Sequence, residues 1–166
     1  MTAASNAPTV NPVPPASGAI PYLVVKGAAE AIRYYQAVFD AREVFRLDAP
    51  DGGVMHAELQ VGPARFMLTE ERPQHQALGP LTLGGSATSV VLYVPDVDAT
   101  MARAIAAGGK AGMPVENQFW GDRSGMLTDP FGHAWMVATH IEDPTPEQVK
   151  ARVQAMFEQG GAGCGA

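Results

Sequence analysis

Ser89–Val94, with the sequence SVVLYV, repeats the pattern of Ile20–Val25, with the sequence IPYLVV, which lies 69 residues earlier. Each stretch has the apolar, β-branched composition of a strand, and each is followed by a segment with helical character. The same offset relates the apolar runs Phe66–Leu68 (FML) and Trp135–Val137 (WMV). A repeat of this length predicts one supersecondary unit used twice. We therefore expect two similar halves and a cleft related to both.

Composition and charge limit the classes of function. The chain has 166 residues, of which 46% are hydrophobic, and a net charge of −6. Nucleic-acid binding needs clustered Lys and Arg, so we expect no nucleic-acid partner. No apolar run approaches the roughly 20 residues that span a bilayer, so we expect no membrane association. Cys164 is the only cysteine, which precludes an internal disulfide and makes the cytoplasm the expected location.

Turn-forming and low-complexity stretches divide the chain into segments, and the fold class that they predict is α+β. The repeated unit reads as βαβββ, and two tandem modules are expected to form a curved mixed sheet around a cleft. The predicted segments are a flexible leader at 1–17, the first module at 18–71, a linker at 72–85, the second module at 86–140, a C-terminal helix at 141–159 and a flexible tail at 160–166.

The helices are predicted from spacing and end signals. Ile32, Tyr35 and Phe39 lie on one face of a helix predicted over Ala28–Phe39. A second, alanine-rich helix is expected to end at Gly108, with Asp98 as its candidate N-cap. The C-terminal helix has a spare apolar stripe that suits packing on the body or on a second subunit.

Two motifs carry a resemblance to a known superfamily. Val94–Asp98 (VPDVD) and Leu127–His133 (LTDPFGH) resemble the vicinal oxygen chelate superfamily, which includes glyoxalase I, extradiol dioxygenases and fosfomycin- and bleomycin-resistance proteins. Trp120–Arg123 (WGDR) and Ala138–His140 (ATH) look like its bacterial PhnB-like subgroup. The resemblance implies the paired-module fold, which carries several chemistries as well as plain binding.

The resemblance also implies where a metal would bind. Metal-using members take one ligand from the first and one from the last strand of each module, usually His, Gln or Glu. The matching positions here are Ile20, Met67, Ser89 and Met136, and none offers an imidazole or a carboxylate. We therefore expect no metal and no other cofactor. The alternative is one divalent metal ion, which would require a different alignment of the strands.

Other polar groups could still support chemistry. His56 and Glu58 alternate on one predicted strand, so both point to the same face. They could act as an acid–base pair if that face lines the cleft, because histidine titrates near neutral pH. A His–Glu pair that is bonded only within the sheet is the structural alternative. A relocated metal site formed by His56, Glu58 and His140 is a further one.

The loop that contains Trp120, Asp122 and Arg123 has the composition of a ligand-contacting rim. Its structural alternative is a salt bridge between Asp122 and Arg123 or a neighbour, with Trp120 as a lid on the core. The repeat also predicts that Met136 faces the cleft and that the adjacent Trp135 is buried.

The expected cleft walls are largely apolar, with aromatic and thioether groups. They comprise Ile20, Tyr22, Met67, Ser89, Val91, Tyr93 and Met136. Such a lining suits a small, largely apolar or aromatic ligand. The sequence therefore favours a homodimeric binding protein without the usual metal centre. Two alternatives stay open: a lyase, isomerase or dioxygenase that uses a metal or His56 and Glu58, and an interaction module whose cleft is filled by its own side chains.

Overall fold

A computed structural model describes residues 18–160, so the predicted leader and most of the predicted tail lie outside the described residues. The first module contains β1 (Tyr22–Val25), α1 (Ala28–Phe39), β2 (Arg42–Asp48), β3 (Val54–Val61) and β4 (Ala64–Glu70). A connecting segment with the short helix α2 (Pro80–Leu83) follows. The second module contains β5 (Ser89–Tyr93), α3 (Val97–Ala106), β6 (Lys110–Ala111), β7 (Glu116–Asn117), β8 (Asp122–Thr128) and β9 (Ala134–His140), before the C-terminal helix α4 (Pro146–Gly160). The α+β class and the paired βαβββ modules are confirmed.

The strands form two mixed sheets, one in each module. The first has the order β1-β4-β3-β2, and the second has the order β5-β9-β8-β6 with β7 also paired to β8. In both sheets the first and last strands of the module are parallel neighbours. Tyr22 pairs with Met67 in the first, and Val91 pairs with Met136 in the second. The matching registers confirm the repeat that the sequence shows.

Helix α1 forms because its apolar residues recur on one face and its first turn is capped by a distant carboxylate. Ile32, Tyr35 and Phe39 are buried, as their spacing predicts. Glu70, at the end of β4, accepts hydrogen bonds from the backbone N–H groups of Gly27 and Ala28, each at 2.7 Å. These bonds satisfy donors that a helix leaves free at its N-terminus and tie the helix to its sheet.

One hydrophobic core is shared by the two modules, and a buried carboxylate joins them. Asp129, in the turn before β9, accepts hydrogen bonds from the Tyr35 hydroxyl at 2.7 Å and the Trp135 indole at 2.8 Å. Phe131 and His133 donate to it through their backbone N–H groups. Trp135 is completely buried, as the repeat predicts. The turn before β9 in the second module is therefore hydrogen-bonded directly to α1 of the first module.

The face of each sheet that is turned away from this core is left uncovered, and we call it the open face. Along each strand, core residues alternate with residues of the open face. Large apolar side chains on the open faces are about half exposed: Phe45 at 50%, Tyr22 at 53%, Val91 at 51% and Tyr93 at 56%. The open faces thus present apolar side chains that are accessible to solvent or to a ligand.

Three local predictions need correction. The N-cap of α3 is Asp96 and not Asp98, because the Asp96 carboxylate accepts the Ala99 N–H at 2.9 Å. The repeated βαβββ pattern predicts a strand over Met113–Asn117, but only the two-residue β7 forms there. The linker contains the helix α2, whose Pro80 is buried against the rest of the chain.

Across residues 18–160, no helix is both long and apolar enough to cross a membrane.

Candidate functional site

The open face of the first sheet carries a polar network among apolar side chains. The Tyr22 hydroxyl lies 3.1 Å from Nδ1 of His56. Nε2 of His56 lies 3.6 Å from one carboxylate oxygen of Glu58, and the other carboxylate oxygen of Glu58 lies 3.3 Å from Arg65. His56 and Glu58 share one face, opposite the buried Ala57, as their alternation predicts. The network can bind a polar group of a ligand or exchange a proton with it.

The open face of the second sheet is more apolar at its centre. Val91, Met136 and Met126 are neighbours across β5, β9 and β8. Met136 is partly exposed on the open face, whereas the adjacent Trp135 faces the core. Ser89 lies at the start of β5 and is exposed. This surface offers thioether and aliphatic contacts and few hydrogen-bonding groups.

A buried carboxylate organises the end of this second face. Asp122 is only 3% exposed. Its two oxygens accept hydrogen bonds from the Tyr93 hydroxyl at 2.8 Å, the Trp120 indole at 2.9 Å and Nδ1 of His140 at 2.8 Å. Three donors converge on one carboxylate because Asp122 and His140 are direct partners on β8 and β9, and Tyr93 lies on the neighbouring β5. Hydrogen bonding of this kind fixes the position of all three side chains.

The charges in this cluster are coupled. Burial by itself raises the pKa of Asp122, but hydrogen bonds from His140, Tyr93 and Trp120 outweigh it and the pKa of the carboxyl is lowered. Hydrogen bonds to Asp122 and to the exposed Asp143 raise the pKa of His140. The hydrogen bond to Asp122 also raises the pKa of the Tyr93 hydroxyl. These shifts favour the ionised form of Asp122 and the protonated form of His140.

The predicted rim residues separate onto different sides of β8. Asp122 faces the open side with Trp120, whereas Arg123 faces the opposite side, since neighbouring strand residues alternate. Arg123 is bonded to Asp98 at 2.7 Å and to Asn117 at 3.0 Å. Asp122 and Arg123 therefore do not pair with each other, but each pairs with a neighbour, Asp122 with His140 and Arg123 with Asp98, as the structural alternative also allows. Arg123 is held away from Tyr93 and Met136.

The four positions at which the fold family would bind a metal do not suit one. Ile20 and Ser89 line a groove of about 540 Å³ between the first strands of the two modules, while Met67 and Met136 lie on the open faces. Ile20 has no donor atom, thioethers suit soft ions, and a lone hydroxyl is a weak ligand. Between residues 18 and 160, no three His, Cys, Asp or Glu side chains are arranged to hold a metal ion. The His56, Glu58 and His140 site considered from the sequence is not formed there, since His140 is bonded to Asp122.

Sequence reasoning missed the role of His140. The sequence analysis names His140 in a subgroup motif and in the relocated metal site but does not pair it with Asp122, which is 18 residues away along the chain. The available signal was an Asp at the start of one strand with a His at the end of its antiparallel neighbour. Using that signal requires the strand register, which the sequence does not give directly.

The model of the Glyoxalase/Bleomycin resistance protein/Dioxygenase superfamily matches residues 18–137. The chain belongs to this superfamily. The protein Mb0911c from Mycobacterium bovis is 39% identical over 143 residues, which cover 84% of this chain and 92% of the relative. The crystal structure of PA1353 from Pseudomonas aeruginosa has a TM-score of 0.61 at 29% identity, over 75% of this chain and 98% of that one. The PhnB protein from Bacillus cereus has a TM-score of 0.57 at 21% identity, over 74% and 99%, which is a likeness of fold.

Proposed function

We propose that this protein binds a small, largely apolar or aromatic molecule on the open faces of its sheets, without the metal centre that other members of the superfamily use. The observation that carries the proposal is the chemistry of the four positions Ile20, Met67, Ser89 and Met136. In place of metal ligands, Met67 and Met136 supply thioether surface on the open faces, and Ile20 and Ser89 supply an aliphatic group and a hydroxyl in the neighbouring groove. No step of the proposed activity involves a metal.

The exposed side chains around these positions support an apolar ligand. Tyr22 and Val91 are direct strand neighbours of Met67 and Met136, and both are about half exposed. Aromatic rings and thioethers bind flat aromatic molecules through dispersion and edge contacts. Contiguous apolar groups on a soluble protein commonly mark an interaction site.

A second copy of the chain is the proposed partner that completes the cleft. Each sheet has one open face, and an apolar ligand on a single open face would leave one of its own sides in water. Burying both sides of the ligand contributes a free energy of roughly 25 cal/mol for each Å² of apolar surface removed from water. On α4, Phe157 is 76% exposed and Met156 57% exposed, which provides further apolar surface for association. We therefore propose a homodimer.

Binding of the neutral aromatic dye Nile red tests this function. The variant Val91→Asp places a carboxylate at the centre of the second open face, next to Met136. A matched control is Ile105→Asp on α3, because Ile105 is 47% exposed and Val91 is 51% exposed. We expect Val91→Asp to raise the dissociation constant about tenfold or more, since an apolar ligand desolvates the new charge, whereas Ile105→Asp leaves it unchanged.

The same samples are measured by analytical ultracentrifugation, which reports the oligomeric state. Equal dye binding by both variants and the wild type would refute the location of the site. A wild-type protein that stays monomeric at the concentrations used for binding would refute the proposed dimer.

An acid–base enzyme that uses His56 and Glu58 is the second candidate. The contacts of His56 with Tyr22 and Glu58 favour it, because a histidine held between a hydroxyl and a carboxylate can exchange protons with a bound substrate. A compound that binds and is then chemically altered, as detected by mass spectrometry, identifies turnover. We expect His56→Ala to abolish turnover with binding retained, and the exposed His75→Ala on the connecting segment to change neither.

A further inference from the structure

The C-terminal helix α4 has a groove along one of its faces. The groove measures about 550 Å³, and every residue that lines it lies on α4. Residues four apart lie in line along a helix, so the lining residues form two adjacent rows. We call them the apolar row, which is Val149, Val153 and Phe157, and the polar row, which is Lys150, Gln154 and Glu158. The groove is therefore a face of α4 that the other described elements leave open.

Contacts on another side of α4 fix the direction in which these rows point. The Arg152 guanidinium donates to the Phe119 carbonyl at 3.2 Å and to the Glu142 carboxylate at 2.9 Å. Arg152 and Val153 are half-buried, whereas Phe157 is 76% exposed. The helix is thus held on the rest of the chain through Arg152, and the apolar row runs from beside this contact out to solvent at Phe157.

A second copy of α4 matches these rows in one direction only. A two-fold axis makes the contact the same on both chains, so that if residue i meets residue j of the partner, j also meets i. An axis perpendicular to the helices makes them antiparallel and sets each row against the same row of the partner. An axis parallel to the helices makes them parallel and sets the apolar row against the polar row. The antiparallel pair is favoured, because it removes apolar groups from water without burying charges against them.

The charges of the polar row complement each other in the antiparallel pair. Val153 is the centre of the apolar row and Gln154 the centre of the polar row, so one crossing point serves both rows. Lys150 and Glu158 lie four residues on either side of Gln154, and the pair therefore places Lys150 of each chain opposite the partner's Glu158. Within residues 18–160 neither side chain takes part in an ion pair, although Glu158 accepts a hydrogen bond from Gln154 at 3.0 Å. Both charges are thus available to a second copy.

We propose that α4 binds α4 of a second copy as an antiparallel pair, with Phe157 against the partner's Val149 and Lys150 against the partner's Glu158. This inference rests on the proposed homodimer and names the surface through which it forms. The apolar rows supply most of the affinity, because exposed ion pairs contribute little. The two ion pairs select the direction and register of the helices, because other arrangements leave the charges unpaired or set like charges together.

Charge reversal followed by mixing tests the pairing, with the dissociation constant of the dimer measured by sedimentation equilibrium. Lys150→Glu or Glu158→Lys alone sets like charges opposite each other at both ends of the pair. We expect either variant to raise the dissociation constant about tenfold. In an equal mixture of the two variants, the heterodimer again has every charge opposite its complement. We expect this mixture to return to within about twofold of the wild-type dissociation constant.

Matched variants elsewhere control for net charge and for exposed apolar surface. Lys110→Glu reverses an exposed lysine on β6 and should leave the dissociation constant unchanged. Phe157→Asp should raise it about tenfold or more, whereas Ile105→Asp, at a residue of α3 that is 47% exposed, should not change it. High salt should reduce the effect of Lys150→Glu, because salt screens exposed charges, and should leave that of Phe157→Asp largely in place. Recovery on mixing also shows that the charge-reversal variants are folded.

The outcomes separate this inference from the proposed function. A wild-type protein that stays monomeric overturns both the α4 contact and the proposed homodimer. A dimeric wild type overturns the α4 contact alone if Phe157→Asp leaves the dissociation constant unchanged, or if the charge-reversal variants do not weaken the dimer or do not recover on mixing. Nile red reports on the open faces through Val91, so a failure of the proposed ligand site leaves the α4 contact standing.

Discussion

Replacing Tyr35 with Phe removes one oxygen atom, and we expect it to destabilise the protein because that oxygen donates a buried hydrogen bond to a carboxylate. The Tyr35 hydroxyl donates to Asp129 at 2.7 Å, between residues 94 positions apart, and Tyr35 is completely buried. Burial and the nearby Asp129 carboxylate raise the pKa of Tyr35 well above its usual value, so the hydroxyl stays protonated and remains a donor. The substitution removes one of the links between the first helix and the second module.

The magnitude follows from the kind of hydrogen bond that is lost. A hydrogen bond to a charged group contributes about 1.5–3 kcal/mol. The same Asp129 oxygen keeps the Trp135 indole, and its other oxygen keeps two backbone N–H groups, so the carboxylate is not left without partners. We therefore expect Tyr35→Phe to lower the free energy of unfolding by ~2 kcal/mol.

Urea unfolding measures this change, at one fixed protein concentration because association also contributes to stability. With typical slopes of 1–3 kcal/mol per M, the midpoint should fall by about 1 M. The matched control is Tyr22→Phe, whose hydroxyl meets His56 on an exposed surface and should contribute less than ~0.5 kcal/mol. If the free energy of unfolding of Tyr35→Phe lies within ~0.5 kcal/mol of the wild-type value, the hydrogen bond to Asp129 does not stabilise the contact between the modules.

Two further predictions concern the surroundings of Asp122. Gly121 has a positive φ of 101°, and a Cβ there would collide with the Glu142 carbonyl oxygen. We therefore expect Gly121→Ala to lower the free energy of unfolding, measured in urea, by more than ~2 kcal/mol. Gly84 has a φ of 83° with open space around it, so Gly84→Ala is a control that should lower the free energy of unfolding by only ~1 kcal/mol. The raised pKa of His140 means that its stabilising contribution is present below its unfolded value of 6.5 and is lost as pH rises through the higher folded value. An NMR titration should place the His140 midpoint above 6.5 in the wild type, and Asp122→Asn should lower it; a midpoint that does not respond to Asp122→Asn would contradict the coupling.

Local patterns were sufficient for most of the secondary structure. Helix α1 begins and ends where the sequence predicts, because its apolar spacing and flanking residues are all local signals. The alternation of His56 and Glu58 with Ala57 predicts their common face, and the repeat predicts that Trp135 is buried and Met136 is not. Neighbouring Asp96 and Asp98 are equally good capping residues by type, so only the backbone conformation decides between them.

The amino-acid sequence by itself determined the paired βαβββ modules and the side chains that stand at Ile20, Met67, Ser89 and Met136, because a strand repeat and the identity of a side chain are properties of the chain. Only the tertiary structure decided which polar groups meet. Asp122 meets His140 through the register of β8 and β9, and Tyr35 meets Asp129 through the packing of one module on the other. These pairings depend on contacts between residues far apart along the chain, for which local periodicity carries no information.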